Sequence, residues 1–401
     1  GKALYNAIVW QDRRTADRCA EIIADGFDAR IRETTGLVVD PYFSSTKLEW
    51  LLGRDDVRKA ADAGNLRLGT VDAFLIWRLT GGAVHATDAT NAARTQLFDI
   101  RANAWSSTLL DYFGVPAKVL PEIKDCVDDF GSAQSSWFGR EIPIRGVAGD
   151  QQAALVGQGC FEPGMTKSTY GTGCFVIANT GATPVQSKAD LLTTVGYRFG
   201  AETTFGLEGS IFSAGVAIKW LRDTLGLIAD ASQTQAAAEK ISGDTKGVYV
   251  VPAFTGLGAP HWRPDARGMI TGLTLDSGRD EVVTATLQSV AFQSRDLLAA
   301  ANADGAEIDR LRVDGGMVVN DWFCQFLADV LEVVVERPKV IETTAMGAAM
   351  LACVGAGLVS DLAATAESWR LDRRFEPSMR RARVDALLAG WRAAVAQVLH
   401  R

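Results

Sequence analysis

The chain has 401 residues, 47% apolar and 22% charged, the composition of an ordinary globular protein. At that length more than one domain is expected, because single cores stop growing near about 250–300 residues. A net charge of −7 excludes bulk binding to nucleic acid or an anionic membrane, though not a local anion pocket.

The sequence opens at Gly1 and runs almost at once into the strand-like Tyr5-Asn-Ala-Ile-Val-Trp10. A β-rich start with no preceding partner predicts that an N-terminal segment is missing. Residues 13–35 and 46–64 read as amphipathic helices, and Thr70 to Leu79 as an apolar helix closed by Gly81-Gly82. Leu97 to Ile100 is a short strand candidate and 105–113 a further helix. Residues 142–148 then form an apolar strand that ends at Gly149 and delivers Asp150-Gln151 to the start of an Ala-rich helix.

Past Gly159 the texture changes to strands and glycine turns, which places a domain boundary at Gly157–Gly159, between 1–158 and 159–401. Residues 166–177 predict a hairpin around Gly171-Thr172-Gly173, continued by strands at 193–199 and 203–207. Helices are expected at 213–225, 280–303 and 320–331, with strands at 247–252 and 311–314. Leu287, Val290, Ala291 and Leu297 form the inner stripe of the long helix. Ala345 to Val359 is too short to span a bilayer and reads as a buried helix. Strands in series before helices predict an α/β fold of two domains with mixed sheets.

The six cysteines are scattered without a C-x-x-C pair, which fits reduced, mostly buried thiols in a cytoplasmic protein. Histidines stand only at 85, 261 and 400, none in metal-ligand spacing, so a zinc site or a Ser/His/Asp triad is excluded. Asp150 is either a helix N-cap or a carboxylate that takes a proton from a small polyol while Gln151 hydrogen-bonds it. A glycine before it would let a ligand approach the backbone. Gly171-Thr172-Gly173 and Asp314-Gly315-Gly316 are turns by default. Their sharper reading is a phosphate or ribose cradle, with the helix at 320–331 aiming its positive end nearby. Neither matches a Walker loop or a G-x-G-x-x-G fingerprint. Trp10 and Phe175 are core residues or two faces clamping a carbon skeleton, and Tyr42 is surface or a phenolic ligand.

Together these fragments resemble the FGGY carbohydrate kinases. The resemblance rests on Tyr5 to Gln11 with Arg13-Arg14-Thr15, Thr35 to Ser44, Thr87-Asp88 with Thr90-Asn91, and Gly149-Asp-Gln-Gln. It continues through Thr169-Tyr-Gly-Thr-Gly-Cys-Phe, Ser213-Ala-Gly, Trp220-Leu-Arg-Asp, Val251 to Pro260, Arg312-Val-Asp-Gly-Gly and Ala345-Met-Gly-Ala-Ala. It runs through essentially the whole chain. The spellings Asp40-Pro-Tyr-Phe and Gly149-Asp-Gln-Gln are similar to the branch that acts on glycerol.

The resemblance implies two actin-like (RNase H-like) domains around a central cleft, polyol against the first and nucleotide against the second. It implies ATP-dependent phosphorylation of glycerol to sn-glycerol 3-phosphate, with ATP and Mg²⁺ required and homodimers or homotetramers common. By position, Asp150 would be the catalytic base, buried beside the triol, and Gln151 a hydroxyl partner. Tyr42 would be a glycerol contact, with Trp10 and Phe175 flanking the carbons. Thr172, Gly215, Lys219, Gly316 and Asn320 would fall on the nucleotide.

The family's N-terminal Asp-x-Gly-Thr-Thr-like phosphate loop and its Arg-Glu pair have no counterpart in the chain, so the first domain is expected to be incomplete. Lys219 replaces a common glutamine. At Gly139-Arg140-Glu141 the family's fructose-bisphosphate motif is not kept, and that regulation is not expected. The rival readings are a pentulose kinase of the same family and a non-catalytic actin-like nucleotide-binding protein.

Overall fold

The computed structural model describes residues 1–400. At its centre a mixed sheet of seven strands runs in the order Leu371–Phe375, Val334–Pro338, Arg310–Asp314, Thr166–Tyr170, Cys174–Gly181, Glu202–Ile211, Leu192–Phe199. The second, third and fourth strands of that order are parallel and the other pairings antiparallel. The predicted hairpin is present: Thr169 lies opposite Phe175, with Gly171–Gly173 making the turn. The strands at 193–199 and 311–314 are found too, each one residue longer than expected, and that at 203–207 extends to Glu202–Ile211, ten residues.

Helix Arg279–Ala303 crosses this sheet, and its predicted stripe of Leu287, Val290, Ala291 and Leu297 is buried. Phe292 on the same helix stacks on Trp391 at 5.5 Å, which ties the C-terminal helix Arg381–Leu399 to the core. Helix Asp321–Leu331 closes the core, with Phe323, Phe326 and Leu327 buried.

The earlier part is mostly helical, and its strands pair only two at a time. The span 13–35 is two helices, Ala16–Ala24 and Asp28–Thr35, separated at Gly26, whose φ of 73° no continuing helix adopts. The span 46–64 likewise divides into Ser45–Leu52 and Asp55–Asp62, because Arg54 between them is extended. Ile22, Ile31, Leu48, Leu52, Leu97 and Phe113 bury the inner faces together.

Three expectations are corrected. Tyr5–Trp10 is not a strand, because no neighbouring strand pairs with it and a lone strand leaves its backbone groups unbonded. The run at 142–148 is a strand only at Ile142–Pro143, paired with Ser132–Ala133. Beyond it the chain is held by isolated bonds, such as Val147 N–H to the Cys126 carbonyl. The helix expected at 345–359 is Thr343–Gly355, and only one face of it is buried; Ala345, Ala348 and Ala349 are exposed. Its buried residues Gly347, Met350, Leu351 and Val354 recur at helical spacing.

That buried face lies across helix Asp150–Gly157. The two backbones touch: a Cβ on Gly347 would fall inside the Ala153 carbonyl, and one on Gly157 inside the Thr343 carbonyl. Gly347→Val should therefore cost about 3 kcal/mol, the upper end for overpacking. The measurement is the urea midpoint, and an unmoved midpoint would show that the helices do not meet there.

Candidate active site

Asp150 is the first residue of the helix Asp150–Gly157, and what aims that helix lies just upstream. The Gly149 N–H donates to the Thr90 hydroxyl at 2.8 Å, and that hydroxyl donates to Asp88 Oδ2 at 2.6 Å. Asp88 is wholly buried, where it caps the short helix Ala89–Ala92 and also accepts from Asn91 Nδ2 at 2.7 Å and Cys126 Sγ at 3.2 Å. Burial pushes its carboxyl upward, and the donors around it oppose that rise. Gly149 serves this packing rather than ligand approach. A Cβ there would stand 2.6 Å from Gln152 Oε1 and 3.7 Å from Asn91 Oδ1.

Asp150 itself was expected to be buried and is exposed. Its Oδ1 accepts only from the adjacent Gln151 N–H, at 2.8 Å. It lies in the first turn of a helix whose body, not its tip, is covered. The acid nevertheless lies near enough to Tyr42 and Lys167 for its charge to act on both.

Trp10, Tyr42 and Phe175 are brought together. The Trp10 ring centroid is 5.4 Å from Tyr42 and 6.3 Å from Phe175, both edge-to-face, and Trp10 remains 40% exposed. An open aromatic shelf results. Small hollows of about 10 Å³ exist elsewhere, one of them between Arg32, Gly36 and Pro184, and have no part in it. Burial pushes the Tyr42 phenol up to about 12, so it stays a neutral hydroxyl.

Three residues at this site were not anticipated. Arg94 lies 5.7 Å from the Tyr42 ring centroid and 5.4 Å from that of Phe43. It grips Glu208, whose side chain is fully buried, through two bonds of 2.7 and 2.9 Å. Lys167 is fully buried and donates to Gln151 Oε1 at 2.5 Å, Thr169 Oγ1 at 3.1 Å and the Phe175 carbonyl at 3.2 Å. The available signal was a charge inside an apolar strand, as at Lys167 and Glu208; nothing in the sequence named their partners.

The expected nucleotide side gathers at the carboxyl ends of the adjacent parallel strands Thr166–Tyr170 and Arg310–Asp314, where α/β sheets commonly take ligands. Thr172 is exposed at the hairpin tip, and its carbonyl accepts from the Ala214 and Val216 N–H groups at 3.1 Å each. Gly215 opens helix Gly215–Asp223, and its N–H donates to the Gly171 carbonyl at 2.9 Å. A Cβ on Gly215 would strike that carbonyl. Gly315, at φ 90°, turns the chain against the Tyr170 backbone and leaves Gly316 facing open space.

Lys219 is exposed one helical turn beyond Gly215. Asn320 uses its side chain inside the protein, accepting from Phe323 N–H at 2.9 Å and donating to Thr234 Oγ1 at 3.1 Å. Asp314 is buried between Gln158 Nε2 and Thr343 Oγ1, each at 2.7 Å. Among the described residues no three or more His, Cys, Asp or Glu side chains cluster as a metal site. No described helix is long and apolar enough to cross a membrane.

Residues 1–157 match the N-terminal domain of the FGGY family of carbohydrate kinases, and residues 166–356 match its C-terminal domain. The chain is 57% identical to the glycerol kinase of Ectopseudomonas mendocina, over 99% of this chain and 81% of that protein. It is 56% identical to glycerol kinase 1 of Pseudomonas aeruginosa, with the same coverage. Among solved structures, Plasmodium falciparum glycerol kinase with ADP superposes at a TM-score of 0.91 and 37% identity, over 99% of this chain and 80% of that one. A xylulose kinase from Lactobacillus acidophilus shares the fold at 22% identity and a TM-score of 0.84, over 98% of this chain and 81% of that one. The fold is accordingly that of two actin-like, RNase H-like domains.

The hydrogen bonds beneath Asp150 are testable by themselves. Thr90→Val keeps the shape but strands the Gly149 N–H and removes a donor from Asp88. It should cost about 1–3 kcal/mol in denaturant unfolding, and Thr90→Ser should restore most of that. Equal midpoints for Val and Ser would remove the hydroxyl from this role.

Proposed function

The chain belongs to the FGGY family of carbohydrate kinases, and we propose that it phosphorylates glycerol at the expense of ATP. The supporting observation is the meeting of Asp150 and Gln151, at one helix tip, with the shelf of Trp10, Tyr42 and Phe175. Glycerol has three hydroxyls and little apolar surface, so its recognition must come from paired hydrogen bonds, with the aromatic edges covering the carbons.

In the reaction Asp150 accepts the proton of a terminal hydroxyl as that oxygen attacks the γ-phosphorus. The new O–P bond forms while the bond to the bridging oxygen breaks, releasing ADP and sn-glycerol 3-phosphate. The transition state is loose, so placement and charge neutralisation outweigh base strength. An exposed carboxylate at a helix tip suits that demand, being an available acceptor in a fixed position. The Tyr42 phenol, neutral and backed by the Arg94–Glu208 pair, supplies a hydroxyl that does not itself ionise.

Thr172, Gly215, Lys219, Gly316 and Asn320 form the nucleotide side in this reading. Gly215 and Gly316 keep the backbone bare at the carboxyl ends of the parallel strands. Lys219 places a free cation one turn into its helix, and Asn320 acts by capping the helix Asp321–Leu331. Mg²⁺ keeps several waters and is commonly held by substrate phosphates with one or two carboxylates. The exposed Asp150 carboxylate is an oxygen donor of the kind such a phosphate-held ion accepts. When bound, the ion neutralises phosphate charge.

The polyol side is assigned to 1–158 and the nucleotide side to 159–401. Buried free thiols accord with a cytoplasmic protein, and a homodimer or homotetramer follows from the family likeness.

Asp150→Asn should lower turnover on glycerol by about 10²–10⁴ while leaving the KM for ATP in place. Coupled ADP-release assays read both quantities, and unchanged turnover would take Asp150 out of the role. Run across glycerol, erythritol, xylulose and ribulose, the same assay should favour glycerol; a preference for a pentulose would refute the substrate assignment.

A further inference from the structure

Lys167 lies in the strand Thr166–Tyr170 with none of its surface exposed, and forms no ion pair among the described residues. A buried ammonium is costly unless its donors are matched. Here they are matched to neutral oxygens: Gln151 Oε1, Thr169 Oγ1 and the Phe175 carbonyl take its three N–H groups. Asp314, Glu208 and Asp150 add favourable charge from farther away, against a burial that lowers the affinity of the amine for its proton.

This contact has a consequence for Gln151. The two ends of an amide are nearly interchangeable in shape, but an ammonium has no acceptor. Only the amide oxygen can face Lys167, so the NH₂ group must point the other way. That NH₂ has no partner in the protein and is not among the buried unpaired atoms, so it is open to solvent, on the residue next to Asp150. The tip of the helix therefore presents one obligate donor next to one obligate acceptor.

We propose that Lys167 is a positioning residue that locks the Gln151 amide oxygen inward and thereby sets the hydrogen-bond polarity of the polyol site. One substrate hydroxyl gives its proton to Asp150, and another accepts from Gln151. The Phe175 carbonyl is held by the same ammonium, so the aromatic edge and the amide are indexed to one atom. This inference rests on the glycerol reading above and refines it.

The test is a double-mutant cycle on the full chain, with Lys167→Met and Gln151→Ala made singly and together. Each single change should raise the KM for glycerol about tenfold or less, the worth of one neutral hydrogen bond. The KM for ATP should hold and kcat should fall less than glycerol affinity. In the Gln151→Ala background, Lys167→Met should add clearly less than it does alone, the remainder coming from its bond to the Phe175 carbonyl. Effects that multiply instead, or a parallel rise in the KM for ATP, would make Lys167 a mere support of the fold and overturn the proposal.

Gln151→Glu decides the matter even if Lys167→Met does not fold. It keeps an acceptor for Lys167 and removes the outward donor, so its glycerol KM should rise as in Gln151→Ala. A KM like that of the unmutated protein would mean that the amide oxygen faces the shelf, and the inference would be wrong. If the unmutated protein fails to phosphorylate glycerol, the functional reading falls and the positioning role with it; turnover with a multiplicative cycle refutes the positioning role alone.

Discussion

The arrangement of the site begins with two helices that lie too close for side chains. Where Thr343–Gly355 crosses Asp150–Gly157, Gly347 and Gly157 let the backbones meet, and Val156, Met350, Leu351 and Val354 seal the crossing. The same helix also presses on the preceding segment, where Gly146 faces the Ala352 backbone. Contacts between main chains leave little play, because no rotamer can adjust to relieve them. The direction of the helix that carries Asp150 and Gln151 is thus fixed by its flank and by the Gly149–Thr90–Asp88 hydrogen bonds at its tip. The Asp150 carboxylate can stand exposed for this reason: its position does not depend on being covered.

Around that helix the protein buries more charge than stability alone would recommend. Arg94 and Glu208, Lys167, Asp88 and Asp314 are all withdrawn from water, and each is closely hydrogen-bonded. Isolated burial of any one would cost several kcal/mol. These hydrogen bonds offset much of that cost and restrict each group's orientation. The groups near the shelf share a purpose in that respect. Arg94 and Glu208 back Tyr42, Lys167 sets Gln151, and Asp88 sets the peptide before Asp150. The groups proposed to meet substrate stay at the rim, open to water.

The proposed nucleotide side follows a different logic. Its residues are bare backbone more than side chain: Gly215 against the hairpin, Gly316 beyond a left-handed Gly315, and a helix cap at Asn320. All follow from two neighbouring parallel strands ending together, one at Tyr170 and the other at Asp314. Loops leaving parallel strands on the same side make a shared edge, and small residues keep it open to a large ligand.

Much of this was legible in the chain itself. The hairpin at Gly171–Gly173, the long helix with its Leu287–Leu297 stripe and the helix after Asn320 follow from local periodicity and turn chemistry, which need no distant partner. Of the five residues that the resemblance assigned to the polyol, Trp10, Tyr42 and Phe175 meet ring to ring, and Gln151 is joined to Phe175 through Lys167. What failed were statements that depend on neighbours: a strand at Tyr5–Trp10, a continuous strand up to Gly149, a buried Asp150. Pairing, cover and burial belong to the tertiary structure, since each is a relation between segments far apart along the chain. Arg94 meets Glu208 across 114 residues and Lys167 meets Gln151 from a different element, so no local pattern could have joined them. The sequence by itself determined which pieces of helix and strand would form and which residue types were on hand for the chemistry. Only folding decided which charges are buried together, because the cost of leaving them unpaired is felt only once water is gone.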